Sequence, residues 1–265
     1  MHAPFTTDLT RAVLATLMLA GLLALGACKN AAPETPEQQQ QRRYERFVDD
    51  FRLVLDQGVR NADLDGWSGG VALRAVIDPL NRMVACSTEA LPEYPLPRYP
   101  DNRLLASAVE RVCWDSIFPR AEPALFSGLP AANLEVVLPV VVTRPGRLPM
   151  EQQKVRETVR EYKAQEQYFW QHLFAEETLD SLGSARIEGH ANAQGQVQGC
   201  QVRLSAIAAR ASDFKPDPER VQRLQERCAA LDIRQMPGFF ASETVGDRFL
   251  VELQYSPWRG GPKRP

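Results

Sequence analysis

Histidine is scarce in this chain of 265 residues: three occur in all, and the two beyond the N-terminal segment, His172 and His190, stand apart from each other. There is no C-x-x-C pair and no set of cysteines or histidines at ligand spacing, which argues against a zinc centre or a dithiol redox site. No phosphate-cradling loop and no paired-carboxylate arrangement is present. An excess of one charge is lacking too. Lys and Arg number 31 against 33 Asp and Glu, a formal net charge of −2, so nothing marks a nucleic-acid binder. Beyond residues 12–27 no apolar run approaches the roughly 20 residues of a membrane span. Gly66-Trp67-Ser68-Gly69-Gly70 matches the nucleophile-elbow string G-x-S-x-G. That motif works on a strand-to-helix turn, whereas here a helix and polar loop precede it and a strand follows, so glycine-rich punctuation accounts for it better. His172 falls in a helical stretch and His190 in a strand, and the acids spread over solvated helix faces. What is present is 44% hydrophobic residues, enough to bury a core in one or two domains.

Polar residues up to Arg11 give way to a nearly pure apolar run, Ala12 to Ala27, which closes on Leu25-Gly26-Ala27-Cys28. A charged start before an apolar core is the layout of an export signal. The closing residues resemble the lipobox of bacterial lipoproteins. That resemblance implies cleavage before Cys28, a lipid on its thiol, and a chain facing the oxidising periplasm. Lys29, in place of an aspartate, then favours the outer membrane. An uncleaved anchor helix is the competing reading. Residues 1–27 are therefore expected to be a signal peptide, and residues 28–41, rich in Ala, Pro, Glu and Gln, a lipidated N-terminus and disordered tether. No cofactor is expected apart from the lipid.

From Arg42 the pattern turns helical: Tyr44, Phe47, Val48, Phe51, Val54 and Leu55 recur at steps of three and four, up to Gly58. Beyond it the chain repeats itself. Cys86 and Cys113 are separated by almost the same span as Cys200 and Cys228. Asp78 and Asn192 stand equally far before the first cysteine of each pair, as do Asn81 and Gly195. Leu134 and Phe249 lie equally far beyond the second. Asp78 to Asn81 and Asn192 to Gly195 suit tight turns, since Asp and Asn bond locally while Asn and Gly accept positive φ. A first strand alternates through Leu73, Ala75 and Ile77, and again through Ile187, Gly189 and Ala191. A second strand runs into each first cysteine, from Met83 and from Val197. A helix follows through Leu105, Ala108, Val109 and Val112, and through Val221, Leu224, Cys228 and Leu231. Asp101 and Asp217-Pro218 suit N-caps, and Pro119 and Pro237 suit stops. The last strand of each copy alternates Leu134, Val136, Leu138, Val140 and Phe249, Val251, Leu253, Tyr255. Met150 to Leu182 holds no Pro or Gly and predicts one long helix that could brace both halves.

Four cysteines beyond an export signal read as disulfides. Pairing within each copy, Cys86–Cys113 and Cys200–Cys228, would staple the second strand to the helix packed on it. Each closed loop would be worth roughly 3 to 4 kcal/mol through the unfolded chain.

Ile77-Asp78-Pro79-Leu80-Asn81, Val84-Ala85-Cys86, the stretch from Cys113 to Phe118-Pro119 and the strand Leu134–Val142 resemble the TonB C-terminal domain, above all its cysteine-bearing versions. Asn192 to Gly195, Gly199-Cys200-Gln201-Val202 and Arg220 to Pro237 carry the same likeness in the second copy, and the TolA C-terminal domain shares the layout. The resemblance implies an α+β protein of two tandem αββαβ modules, each a small three-stranded antiparallel sheet with helices. They would span residues 42–145 and 146–258, with 259–265 a disordered tail. It also implies binding, because in such domains a sheet edge accepts an extended partner segment. The edges concerned would be Leu134, Val136, Leu138 and Val140, and Phe249, Val251, Leu253 and Tyr255. Alternatively the two edges pair with each other and close one sheet. An energy transducer would need an inner-membrane helix and a long proline-rich segment, which this layout does not provide. Tyr94-Pro95 and Tyr99-Pro100 match a family motif in a place where the family does not carry it. The expected product is thus a non-catalytic binding or scaffolding lipoprotein whose partner is an envelope protein, a peptide or a second copy. The runner-up is an accessory of a TonB-type uptake system, and a hydrolase using Ser68 comes third.

Intact-mass analysis of the protein from a membrane fraction should find an acylated N-terminal Cys28. An unprocessed Met1 would overturn the export reading.

Overall fold

The computed structural model describes residues 34–62, 64, 67–127, 133–143, 149–239 and 247–261. The signal segment, Cys28 and the start of the tether lie outside them, as does Gly66.

Helix α1, Pro36–Asn61, starts earlier than expected. Thr35 and Gln38 form a capping box: Gln38 N–H donates to Thr35 Oγ1 at 3.3 Å and Thr35 N–H to Gln38 Oε1 at 3.0 Å. Pro36 stands at the first helical position, where its missing donor costs nothing. Residues 36–41 are therefore helical, not tether. Composition alone hid a local start signal.

From Arg42 onward the described residues form one compact unit holding two α+β modules. The first contains β1 (Gly69–Ile77), β2 (Met83–Ala90), α2 (Asn102–Asp115) and β3 (Leu134–Val142). In the second come α3 (Met150–Phe169), β4 (Gly183–Ala191), β5 (Val197–Ser205), α4 (Pro218–Ala229) and β6 (Asp247–Tyr255). Each sheet is three-stranded and antiparallel, in the orders β2-β1-β3 and β5-β4-β6. The two sheets stay separate, so β3 and β6 do not close one continuous sheet. The first core gathers Phe47, Phe51 and Leu55 of α1, Leu73 and Ala75 of β1, Leu105 and Val109 of α2, and the inner face of β3. Phe51 stacks on Phe118 with ring centroids 3.7 Å apart. Around Ile187, Leu224, Val251 and Tyr255 the second core closes with Phe169, Leu173 and Phe174.

Register equates Ile77 with Ala191, which pair with Leu134 and Asp247 respectively. The spacing match of Leu134 with Phe249 is thus two residues out. Side chains alternate with period two, so a slip of two keeps the core face correct. The long helix is also shorter than its composition allowed. After α3 one π turn, Trp170–Phe174, ends it well before Leu182, and α3 packs on β6 of the second sheet. Asp217 caps α4 by accepting from Arg220 N–H. Asp101 makes no side-chain cap, because its backbone is already helical. Both disulfides form as paired by spacing, Cys86–Cys113 and Cys200–Cys228.

The two hairpin turns carry the repeat most closely. Asp78 Oδ1 accepts from Leu80 and Arg82 N–H, and Asn192 Oδ1 from Gln194 and Gln196 N–H. Asn81 and Gly195 sit at φ 60° and 79°. Each turn tip is pinned to the chain beyond its helix. Asn81 exchanges two hydrogen bonds with the Ala121 backbone, and the Gly195 carbonyl accepts from Ile233 N–H. A Cβ at Gly195 would run into Arg234 and Asp232. Gly195→Ala should therefore cost at least about 1–2 kcal/mol in urea unfolding, from the left-handed backbone alone. Asn81→Gly relieves that backbone but loses the Ala121 pairing, at about 1–2 kcal/mol. A neutral result at both would mean that the turns do not hold the hairpins in register.

Candidate functional site

All eight predicted edge residues point their side chains inward: Leu134, Val136, Leu138, Val140, Phe249, Val251, Leu253 and Tyr255 are buried. Alternation dictates this, and it leaves any added strand to meet the backbone of the residues between them.

The outward backbone is identified by what already bonds to it. Glu252 offers both its groups to one side chain: the Tyr162 hydroxyl donates to its carbonyl at 2.9 Å and accepts from its N–H at 3.0 Å. A tyrosine of α3 thus occupies the place of a partner strand on β6. Two residues on, the Gln254 carbonyl accepts from Arg259. On β3 the Tyr44 hydroxyl donates to the Glu135 carbonyl at 3.3 Å. Pro139, two further pairs along, lacks a donor and shares the parity of Glu135, so its ring faces outward without costing a bond to β1. By register Pro139 stands where Glu252 stands in the second sheet, since Ala72 pairs with Pro139 and Arg186 with Glu252. Two copies blunt one ladder position in two ways, one by removing the donor and one by satisfying it. Among the described residues, the backbones of Val137 and Val141 carry no such cap. The far edge of the first sheet is capped at Thr88, whose N–H and hydroxyl both donate to Glu110 of α2 at 2.9 and 2.8 Å.

A second arrangement escaped the sequence: the joint between the modules. Arg210 lies in the short helical segment Ala208–Asp213 and is 3% exposed. Its guanidinium donates to the Phe118 and Asn81 carbonyls of the first module, at 2.9 Å each, and to Asp213. Trp258 provides a ring 5.7 Å away. Asp213 is shared with Arg120 of the first module. Trp258 itself sits in the first core and donates from Nε1 to the Ser116 carbonyl at 3.2 Å. Arg259 lies over Trp170, 4.3 Å from its ring, beside Asp115. Gly261 follows against the Trp114 indole. Arg259 to Gly261, expected in a disordered tail, are thus held in the joint. Burial pushes the Asp115 carboxyl above the usual carboxylate range and the Arg259 guanidinium below its usual value, each opposed by the other's charge. A tryptophan near the end of the chain was the one visible signal. For Arg210, one arginine among many, the sequence offered none.

Behind the second sheet, buried Glu177 pairs with Arg223 at 3.0 Å and Arg227 at 3.2 Å, while Arg220 reaches Asp180 and Asp217. Of the residues weighed for chemistry, Ser68 precedes β1 rather than following it. His172 bonds the Tyr168 carbonyl through Nδ1, and His190 is exposed on β4. No group of three or more His, Cys, Asp or Glu that could hold a metal occurs among the described residues. Among them, too, no helix is long and apolar enough to cross a membrane. The chain matches no family model, no curated protein and no solved structure.

Arg210→Ala strands two carbonyls and leaves Asp213 to Arg120 alone, and should cost about 2–4 kcal/mol in urea unfolding. Burial alone would raise the Asp213 carboxyl, but Arg210 and then Arg120 outweigh it and hold it below the usual range. Its stabilisation is therefore present above the unfolded value of about 3.9 and lost as pH falls through the lower folded one. The fall in urea midpoint of wild type below about pH 4 should be shallower in Asp213→Asn. Identical profiles would mean that the carboxylate does not hold the joint.

Proposed function

We propose that this chain is a lipid-anchored, periplasm-facing envelope protein whose two TonB-C-like modules bind or scaffold other proteins without catalysis. The lipobox-like run to Cys28 supports the anchoring, with the outer membrane favoured by Lys29. Two disulfides suit an oxidising compartment. The observation that carries the binding role is the uncapped β3 backbone at Val137 and Val141, on an edge strand whose Glu135 carbonyl is taken by Tyr44 and whose Pro139 has no donor. Edge donors and acceptors left to solvent are what an extended segment of a partner can pair with. β6, closed in its middle by Tyr162, is the weaker acceptor. An accessory role in TonB-type uptake is the second reading, favoured only by the family resemblance.

Proline at Val137 or Val141 removes an outward N–H while sparing the ladder to β1. The probe is a fluorescent Val/Thr-rich peptide of about nine residues, within the usual length of a strand. It should bind wild type and Leu250→Pro alike, and bind Val137→Pro or Val141→Pro far more weakly. Failure of wild type to bind, or indifference to both β3 prolines, would exclude strand addition at β3.

A further inference from the structure

The helix ahead of each sheet delivers a tyrosine hydroxyl to the outward edge of that sheet's last strand. Tyr44 of α1 reaches Glu135 of β3, 91 residues on, and Tyr162 of α3 reaches Glu252 of β6, 90 residues on. The two helices are held differently. α1 sends Phe47, Phe51 and Leu55 from its middle into the first core, and Tyr44 takes one carbonyl at 3.3 Å. In α3 the buried residues are Tyr168 and Phe169, both in its last turn. From Met150 to Glu161 every residue is exposed except half-buried Val159. In between, Tyr162 grips both backbone groups of Glu252, and Gln165 Nε2 donates to the Pro237 carbonyl at 2.9 Å. Directly behind the anchored end the winding changes. Ala175 N–H bonds the Trp170 carbonyl, one residue further back than an α-helix reaches, and π turns of this kind are frequent at functional sites.

We infer that α3 is a latch on β6: Tyr162 holds the second edge closed, and release of the helix about the π turn opens that edge to an extended segment of a partner. The chemistry of the contact suits exchange. A hydroxyl that donates to the carbonyl and accepts from the N–H of one residue supplies what a paired strand supplies at that position. A partner strand therefore replaces both bonds in kind and leaves no backbone group of Glu252 unpaired. Because the outer turns of α3 are exposed, moving them uncovers little apolar surface. The edge also sets the side chains of its guest. Arg248, Leu250 and Glu252 alternate along β6 with the core-facing residues. Beyond them the Gln254 carbonyl is taken by Arg259, so the open run ends at Glu252. Arg186, across from Glu252 on β4, is engaged by Glu188. Apolar residues and opposite charges pair across neighbouring strands. An antiparallel guest thus sets a cation beside Glu252, an apolar residue beside Leu250 and an acid beside Arg248.

The inference rests on the binding role proposed above and adds to it a second acceptor edge and what controls it. The probe is a fluorescein-labelled peptide of about nine residues, within the usual length of a strand, with Lys-Thr-Val-Thr-Glu at its centre. By anisotropy it should bind Tyr162→Phe, which lacks both hydroxyl bonds, about tenfold or more tightly than wild type. Amide shifts should centre on Leu250 and Glu252, and adding Leu250→Pro to Tyr162→Phe should abolish the gain. Native-state hydrogen exchange of wild type tests the latch even if a variant fails to fold. The Glu252 amide should exchange through a local opening with little urea dependence, while Val251, paired with Ile187 of β4, waits for global unfolding. Equal affinity of wild type and Tyr162→Phe, or a gain that Leu250→Pro leaves intact, overturns the inference. So does a Glu252 amide that exchanges only together with Val251. If this peptide fails while the Val/Thr-rich peptide still binds at β3, only this inference falls. If both fail, the binding role falls with it.

Discussion

The guanidinium of Arg210 is the constraint on which the rest of the molecule turns. It is buried, so its donors must be satisfied, and it finds acceptors on both modules at once. The two carbonyls it takes, of Asn81 and Phe118, belong to the turn tip and the post-helix segment that the first module's own pairing of Asn81 with Ala121 has already drawn together. The joint is therefore conditional on the hairpin. A misplaced turn would leave two of the buried guanidinium's donors unpaired, with Asp213 of its own segment the one acceptor still in place. Trp258 and Leu182, lodged in the first core, add apolar area to the same contact.

The two modules meet one set of physical demands. Both need a turn with a left-handed residue, and one uses Asn81 where the other uses Gly195. Both need a strand stapled to a helix, and both use a disulfide. Both must keep the last strand from recruiting chains at random, and here the solutions part: a proline without a donor on β3, a tyrosine hydroxyl on β6. The divergence is greatest where the fold asks least, on the outer faces. One carries charges along both its inner and edge strands, through Arg186, Glu188, Arg203 and Glu252; the other keeps a single cluster, Arg74 with Glu89 and Glu135, beside Val76, Val137, Pro139 and Val141. Where two copies share architecture and differ in one surface, that surface is where their roles can separate.

The elements and their faces were legible in the residues. Alternation marked β1, β3, β4 and β6 and the side of each that enters a core, and Asp78 to Asn81 and Asn192 to Gly195 marked both turns. The start of α1 was legible as well, in Thr35-Pro36-Glu37-Gln38, but the surrounding glutamines and prolines suggested tether. Equating Leu134 with Phe249 erred by two because loop lengths after the helices differ, and nothing in a period of two registers such a slip.

By itself the sequence determined the α+β order, the two disulfide pairs and the core residues, because periodicity, turn chemistry and cysteine spacing are local properties. Only the tertiary structure decided that the two sheets stay apart, that Arg210 and the chain near Trp258 join the modules, and that Tyr162 closes one edge while Val137 and Val141 stay open on the other. Those outcomes depend on which backbone groups remain unpaired once the ladders have formed, and on which distant side chain comes within about 3 Å of them. Neither quantity has a signature in the neighbouring residues.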